Sequence, residues 1–517
     1  MKKLILLLGC LWITIAGIAN NVVISNISLV GSSGNYRVQF DLGWDHPWHV
    51  TTGQNNYDGV WIFFKYRVGG GEWQHLYMTG TGNTLPGNFI IYQNSGANKT
   101  GAIIHPPVGF GAIGILMANI ELGVSDPAGF NIDIRGYAIE MVYIPQCDNC
   151  IIGDGNSANE SGGAFHVADN TSGALGNNFR VDVNIFDDAT LEAGIVVNTT
   201  GIAGNTNFTT GQAFWSMKYE LSQAAYRDFL NALTLTQQTT RTANAPTSAI
   251  GTGALTTSGT FRNFIETATP SVGGAPAIYG LDASGNNVFD ETADGEWIAC
   301  NFLSWMDLAA YLDWAGLSPM TEIGFERICR GASTAGANPS VFGEFAWGTT
   351  SIFASAYTLT GAATATELAS NSSATLGNAI YGTTSSGLGP LRNGIFATGA
   401  SNRLTSGASF YGVMDMSGNV MEPCVTVGNV AGRGFTSING NGVLSASGNA
   451  NTSNWPCGPT ASSAPTCSEV TNSAGTILRG GSLITQVSNL TVSERGFGQA
   501  FSSPFLGQGG RGVLYIQ

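Results

Sequence analysis

The chain has 517 residues, of which 43% are hydrophobic, 10% are charged and 71 are glycine, and its formal net charge is −14. This length allows two or more domains with sizeable cores, and the composition is unlike that of a disordered polyelectrolyte. The acidic balance and the lack of a Lys/Arg cluster in the sequence exclude a nucleic-acid footprint, so we expect no nucleic-acid partner. A β-rich, loop-rich extracellular protein fits this composition.

The first residues have the features of a secretory signal peptide, which we predict over residues 1–19. Lysines precede an apolar run from Leu4 to Ile15, and Gly17-Ile18-Ala19 resembles a small-residue cleavage site. We therefore expect a secreted protein or one at the extracellular cell surface. A lipid anchor at Cys10 ranks second, because the apolar run before it is short. No later run is long and apolar enough to span a bilayer, so no transmembrane segment is expected.

The cysteines fit export from the cell. Of the eight cysteines, seven remain without Cys10, so at least one thiol is expected to be free or paired between chains. Cys147 and Cys150 have CxxC spacing, for which a local disulfide is favoured over a redox or zinc site. Cys457 and Cys467 flank a Pro/Ser/Thr loop and are predicted to form a second disulfide.

From residue 20 to residue 139 apolar and polar residues alternate with period two between Gly/Asn turns. The clearest strand-like runs cover 22–24, 36–42, 60–66 and 113–117. Short strands at this spacing predict an all-β sandwich domain over 20–139. The cluster of aromatic residues and histidines from Trp44 to His49 could be a metal or sugar site, but a loop packed by aromatic residues is favoured.

Helical patterns begin after residue 220. Ser222, Ser304 and Thr321 stand at the positions of N-caps, each before a helix-like apolar pattern. In the third helix, Glu322, Glu326, Arg327 and Arg330 have the spacing for ion pairs on one helix face, although the two glutamates could also suggest acid/base catalysis. The Gly/Ser/Thr-rich spans 234–276 and 350–386 are predicted to be surface insertions.

The stretch from Tyr411 to Glu422 holds the candidate metal ligands. Asp415 and Glu422, with the carbonyl oxygens of Gly418 and Val420, could surround one hard cation in the all-oxygen shell that calcium prefers. Residue types alone also allow a plain turn in which Asp415 bonds its own backbone and Glu422 faces solvent.

This stretch resembles the signature of the sulfatase-modifying factor family, also called the formylglycine-generating-enzyme family. Further segments resemble the family's motifs in the same order: 137–145, 214–231, 318–331, 345–348 and 479–482. The resemblance covers residues 140–517 and implies a C-type-lectin-like domain there. The expected fold class is therefore α+β, with the C-type-lectin-like (formylglycine-generating-enzyme-like) domain preceded by the all-β sandwich domain.

The resemblance also implies a structural calcium ion as the cofactor. The family's calcium ligands correspond to two sets of positions in this chain, Asp415, Gly418, Val420 and Glu422 in the first and Asn378 and Ala379 in the second. Met421 and Pro423 stand where the family usually has tryptophans.

Catalytic members of the family hold copper with two cysteines just after the segment that matches 479–482. The corresponding positions in this chain are Thr485 and Leu490, and neither side chain provides the soft thiolate that Cu(I) needs. We therefore assign no catalytic residues and expect a fold that is retained without the family's oxidase chemistry.

The functional hypothesis is a secreted, non-catalytic cell-surface protein that binds a protein or glycan ligand, or acts in adhesion. The binding face implied by the lectin-like fold comprises Leu483, Ile484, Gln486, Asn489, Phe497, Gln499, Phe501, Phe505 and Gln508. Exposed phenylalanines and leucines among polar residues are typical of interaction surfaces, although these phenylalanines could instead point into the core. The alternative is a structural subunit of an extracellular filament or motility assembly, with copies of itself as partners. A formylglycine-generating oxidase is a minor third hypothesis.

Overall fold

A computed structural model describes residues 22–94, 99–112, 114–127, 129, 131–147, 153, 165–167, 179–181, 211–331, 341–385, 389–428, 430–457 and 467–516. The strands are β1 (Val23–Val30), β2 (Arg37–Asp45), β3 (Asp58–Val68), β4 (Gln74–Leu76), β5 (Ile90–Tyr92), β6 (Ala102–His105), β7 (Gly114–Gly123), β8 (Ile132–Ile144), β9 (Phe165–Val167), β10 (Phe179–Val181), β11 (Phe214–Met217), β12 (Ile265–Thr269), β13 (Ile278–Leu281), β14 (Ser318–Pro319), β15 (Leu359–Thr360), β16 (Leu368–Ala369), β17 (Glu422–Val425), β18 (Thr476–Arg479) and β19 (Gly512–Tyr515). The helices are α1 (Gln223–Leu230), α2 (Leu235–Arg241), α3 (Trp305–Trp314), α4 (Glu322–Arg330), α5 (Gly382–Ser385), α6 (Arg403–Ser406) and α7 (Val430–Arg433), with 3-10 turns at Thr260–Arg262 and Val487–Leu490.

One eight-stranded antiparallel sheet joins strands of the N-terminal part, beginning with β3, to β19 near the C-terminal end of the described chain. Its order is β14-β19-β11-β8-β3-β6-β5, and β4 pairs with β3 at a branch. Strand β8 pairs with β3 from Ile132 to Val142, and its last residues, Met141 to Ile144, pair with β11. The predicted boundary between residues 139 and 140 therefore falls inside β8.

A second sheet, with the order β1-β2-β7, covers one face of the N-terminal part of the large sheet. Phe40 and Leu42 of β2 lie in the same core as Val60, Ile62 and Phe64 of β3. Because side chains alternate along a strand, every second residue of β3 faces this core. The strands predicted from period-two patterns are confirmed as β1, β2, β3 and β7.

Helices α1, α3 and α4 cover the opposite face of the large sheet. Trp61 and Phe63, which alternate with the residues of the first core, pack there in the main core with residues of all three helices. The three predicted N-caps are confirmed, since Ser222, Ser304 and Thr321 each accept a hydrogen bond from a backbone N–H three residues on.

The two spans predicted as surface insertions contribute to the interior. The span 234–276 contains α2 and β12, and its Leu255 and Ile265 belong to the main core. In the span 350–386, Tyr357 and Ala369 pack in a smaller cluster with Ile380. The sequence did not indicate this burial, because most residues in each span are small. The few large side chains in each span make the core contacts.

Buried ion pairs fix α4 to the C-terminal part of the chain. Arg495 Nε lies 2.7 Å from Glu322 Oε2, and Arg479 bridges Glu322 and Glu326 at 3.2 and 2.7 Å. The predicted pairing on the helix is confirmed for Glu326 and Arg330. Both glutamate side chains and both C-terminal guanidiniums are fully buried. Because water does not reach these charges, each one is compensated by the opposite charges beside it.

The cysteines agree with the predicted pairing where the structure describes them. Cys457 and Cys467 form a disulfide. Cys147 is disulfide-bonded, while Cys150 lies outside the described residues. In the described part of the chain, the free cysteines are Cys300, Cys329 and Cys424, and all three are buried.

We predict that Glu322→Gln lowers the free energy of unfolding at neutral pH by about 3–5 kcal/mol, because it leaves two buried guanidiniums without full compensation. Burial by itself raises the pKa of Glu322, but Arg495 and Arg479 outweigh it and hold this pKa below its usual value of 4.5. The wild type should therefore lose stability as the pH falls through this lowered pKa, and the variant should lose less over the same range.

Denaturant unfolding followed by tryptophan fluorescence measures both effects. Glu72→Gln is the matched control, since Glu72 is exposed and its substitution should change stability by no more than ~0.5 kcal/mol. If Glu322→Gln were as stable as this control, the buried network would not stabilise the fold.

Candidate calcium site and C-terminal surface

The turn before β17 brings the predicted calcium ligands into the interior. Asp415 and Asn419 have positive φ angles of 60° and 63°, and Gly418 has a φ of 97°. A Cβ atom at Gly418 would lie 2.4 Å from the carbonyl oxygen of Ile380, so only glycine fits this position without rearrangement. The turn leads directly into β17, which begins at Glu422.

Glu422 is a buried carboxylate with one oxygen paired and one oxygen unpaired. Arg511 Nε donates to Glu422 Oε1 at 2.8 Å. Glu422 Oε2 is buried and has no hydrogen-bond partner within the part of the chain that the structure describes. Burial raises the pKa of Glu422, and Arg511 opposes that shift. The Glu422 side chain therefore does not face solvent. The plain-turn alternative, in which this side chain is exposed, is wrong.

Asp415 lies near Glu422 and shares its positive neighbour. Its Oδ2 atom accepts a hydrogen bond of 2.7 Å from the Gly394 backbone N–H. Burial raises the pKa of Asp415, while the Arg511 and Arg392 guanidiniums lower it. The negative charges of Asp415 and Glu422 are therefore balanced by few positive groups, chiefly Arg511.

A third carboxylate, Glu220, belongs to the same cluster and was not predicted from the sequence. Its oxygens accept hydrogen bonds from the Val420 N–H at 3.0 Å and from Asn419 Nδ2 at 2.5 Å. Burial and the negative charge of Asp415 raise the pKa of Glu220 well above its usual range. The available signal was an acidic residue two positions before the N-cap Ser222, in a segment rich in aromatic residues.

The unpaired Glu422 oxygen fits a bound cation. It is a hard oxygen donor in a buried, negatively charged cluster, which is what Ca²⁺ prefers. Among the described residues, no group of three or more His, Cys, Asp or Glu side chains is arranged to hold a metal ion. A cation at Glu422 would therefore rely on main-chain carbonyl oxygens for much of its shell, as the Gly418 and Val420 positions would require.

The second predicted set, Asn378 and Ala379, already has protein partners. Asn378 Oδ1 accepts hydrogen bonds from Tyr357 Oη at 3.1 Å and from the Ser373 N–H at 2.8 Å. The Ala379 carbonyl accepts one from Thr384 Oγ1 at 2.9 Å. These oxygens hold the 373–384 loop together, so calcium binding there would have to replace existing bonds.

Thr485 and Leu490, the positions predicted from the resemblance to correspond to the family's copper cysteines, have structural roles. Thr485 Oγ1 accepts from the Ser482 N–H at 2.9 Å and donates to the Ser482 carbonyl at 3.0 Å. Leu490 is fully buried. Burial also raises the pKa of Cys424 well above its usual range, which keeps that thiol in its unreactive form.

The structure divides the predicted binding face into an exposed part and a buried part. Ile484 and Phe501 are 42% and 40% exposed. The other members that reach solvent are the exposed Gln486 and Gln499 and the half-buried Asn489, Phe497 and Phe505. We refer to these seven residues as the C-terminal surface.

Leu483 and Gln508 do not belong to that surface, because both are fully buried. Leu483 packs in a core cluster. Gln508 accepts from the Phe501 N–H at 2.9 Å and donates to the Leu303 carbonyl at 3.2 Å. Its side chain holds the 501–508 loop in place, and this loop carries the rings of Phe501 and Phe505, which are tilted by 32° with centroids 4.1 Å apart.

These features define an α+β protein. The layer of helices α1, α3 and α4 and the eight-stranded antiparallel sheet support the buried acidic turn and the C-terminal surface. A family model described as the sulfatase-modifying factor enzyme 1-like domain matches residues 187–507, which is more than half of the chain. The chain therefore belongs to the sulfatase-modifying factor family. The search of curated proteins found no match. Among the described residues, no helix is long and apolar enough to cross a membrane.

Proposed function

We propose that this protein is a secreted, non-catalytic member of its family that binds a ligand or mediates adhesion at the cell surface. The observation that carries this proposal is the C-terminal surface, where Ile484 and Phe501 expose large apolar side chains among polar neighbours. Exposed aromatic and aliphatic side chains grouped in this way are typical of interaction sites. Thr485 and Leu490, which replace the family's copper ligands, further support a binding role.

The proposal includes a C-type-lectin-like fold for the family domain and a β-sandwich for the N-terminal part. The two facing sheets that enclose Phe40, Ile62 and Phe64 support the sandwich. The loops that follow β18 and lead to β19 carry the C-terminal surface, and this arrangement supports a lectin-like use of the last loops for binding.

We also propose that structural calcium binds beside the turn of residues 415–422. The buried, unpaired Oε2 atom of Glu422 supports it, as does the concentration of acidic groups at Glu220, Asp415 and Glu422. A divalent cation would relieve their mutual repulsion and fix the turn that precedes β17. Its role would be to stabilise the fold rather than to take part in a reaction.

The calcium site predicts that added Ca²⁺ raises the melting temperature and that a chelator lowers it, since a ligand that binds only the folded state stabilises that state. Asp415→Asn combined with Glu422→Gln should abolish the response, while these near-isosteric changes keep the packing around Arg511. Differential scanning fluorimetry measures both effects, with Glu469→Gln as a control that changes a carboxylate outside the turn. An unchanged melting curve of the wild type after chelation would contradict the site.

The C-terminal surface predicts that Ile484→Ser combined with Phe501→Ser lowers ligand binding about tenfold, because two apolar contacts at an interface typically contribute about 1.4 kcal/mol or more together, and 1.4 kcal/mol is a tenfold change in affinity. Arrays of glycans and extracellular proteins provide the ligands, and biolayer interferometry measures affinity for each hit. Leu116→Ser is the control, since Leu116 is 75% exposed on β7, outside this surface.

Equal loss of binding in the control would remove the C-terminal surface from the proposal.

Electron microscopy of the wild type distinguishes the binding function from the alternative, a structural subunit of an extracellular assembly. Regular fibres or sheets would favour a structural subunit of a surface assembly, whereas separate particles agree with a binding protein.

A further inference from the structure

A trough runs between the N-terminal strands and the helical layer, away from the residues predicted as ligands. It consists of two adjoining cavities of about 820 and 590 Å³ that share Glu72, Trp73, Leu233 and Thr234. The first cavity extends to the loop at 442–446, and the second extends to Arg67 and Arg135. Each volume lies within the range of ~300–1,000 Å³ that is usual for small-molecule sites.

The floor of the trough is held by a buried lysine. Lys65 Nζ lies 2.7 Å from the Trp314 carbonyl, 2.7 Å from the Gly442 carbonyl and 2.9 Å from His75 Nδ1. His75 Nε2 is 2.8 Å from the Thr100 carbonyl, so it carries the ring proton and leaves Nδ1 as an acceptor. The three N–H groups of the Lys65 ammonium are therefore all donated to acceptors within the protein.

Lys65 is therefore part of the framework and not a group that a ligand can use. Burial lowers the pKa of Lys65, while Asp313 acts in the opposite direction. Gly442 has a φ of +84°, and a Cβ atom there would lie 2.3 Å from His75 Nδ1, so glycine allows this close contact. The floor is thus rigid and already satisfied.

The wall of the trough contains a tryptophan and two arginines. The Trp73 ring centroid lies 4.8 Å from Arg67 Cζ and 4.3 Å from Arg135 Cζ. Arg67 Nε pairs with Asp133 at 2.8 Å. Arg135 donates to the Asn231 carbonyl at 3.2 Å, and it has no carboxylate partner within the described residues. Within the described part of the chain, Arg135 is therefore a half-exposed cation that no carboxylate pairs with, although the formal net charge of the chain is −14.

We propose that this trough binds an acidic saccharide, with Arg135 bound to its carboxylate and Trp73 beside a sugar ring. A guanidinium can bind both oxygens of a carboxylate, and an indole offers a flat apolar surface for the C–H face of a pyranose. Amide and hydroxyl groups of Gln74 and Thr234 line the same walls and suit sugar hydroxyls. This site is separate from the C-terminal surface, so it goes beyond the function proposed above.

Other anions and peptides fit the trough less well. Glu72 lines both cavities and would repel a doubly charged phosphate more strongly than a single carboxylate. A peptide that adds to a sheet edge needs an extended partner strand, and β4, the strand at the trough, has only three residues. The combination of one arginine without a carboxylate partner among the described residues, one exposed glutamate, and walls that mix apolar side chains with amide and hydroxyl groups therefore favours a carboxylated sugar.

Isothermal titration calorimetry of the full-length protein with trigalacturonate, alginate trisaccharide and sialyllactose tests the proposal. Each probe is paired with its carboxyl-reduced, neutral counterpart. We expect at least one acidic probe to bind, its neutral counterpart to bind at least tenfold more weakly, and added salt to weaken the acidic complex. Binding of no acidic probe, or equal binding of the neutral forms, would overturn the proposal.

Variants locate the site. Arg135→Gln should weaken binding about tenfold or more, because it removes a charged hydrogen bond to the carboxylate. Glu72→Gln should strengthen binding, since it removes a nearby negative charge. Arg37→Gln is the matched control, because Arg37 pairs with Glu121 on the other sheet and should leave binding unchanged.

The direction of the Glu72→Gln effect does not depend on the stability of the Arg135 variant, so the test holds even if that variant folds poorly. Unchanged binding in both trough variants would place the saccharide elsewhere. Preference for an acidic peptide over all the saccharides would also contradict the assignment.

Discussion

Strand β8 contributes side chains to two hydrophobic cores, and both halves of the protein pack against it. Its residues from Ile132 to Val142 pair with β3, and its last four residues pair with β11 of the family domain. Ala138 faces the core below the three-stranded sheet, whereas Tyr137 and Ile139 face the helices. Because successive side chains of β8 point to opposite faces of the sheet, this one strand contributes to both cores. It therefore connects the two halves of the protein without a linker.

Local features of the sequence predicted much of this fold. The caps at Ser222, Ser304 and Thr321 each involve residues three positions apart, and period-two runs marked the strands of the N-terminal part. The disulfide between Cys457 and Cys467 closes a short loop whose composition was visible. Such signals lie within a few residues of one another, so a single sequence contains them.

Long-range partners were the part that the sequence could not supply. Glu322 pairs with Arg479 and Arg495, which lie 157 and 173 residues away, and Glu220 bonds Val420 across 200 residues. Burial of Leu483 and Gln508 also depends on elements far along the chain, such as the Leu303 carbonyl. The continuous sheet through β8 was missed for the same reason, since apolar patterning shows that a strand is buried but not which strands lie beside it.

The proposed function combines the family's fold with different side chains at the positions predicted to hold copper. The buried acidic turn, the α4 ion pairs and residues 479–482 lie in segments that resemble the family's motifs, while Thr485 and Leu490 take part in local hydrogen bonding and packing of the C-terminal loops. Fold and function separate in this way because a reaction depends on a few side chains, whereas the fold depends on many. The C-terminal surface and the trough beside Trp73 are the two places at which we propose that this framework binds ligands.

The most direct test of this account is oxygen consumption by the purified protein with copper and a cysteine-containing peptide. The account predicts no turnover beyond that of copper alone, and no aldehyde in the peptide by mass spectrometry. Cys424→Ser and the copper-free protein provide the controls. Copper-dependent conversion of the peptide cysteine to formylglycine would contradict the proposal that this protein binds a ligand without catalysing the family's reaction.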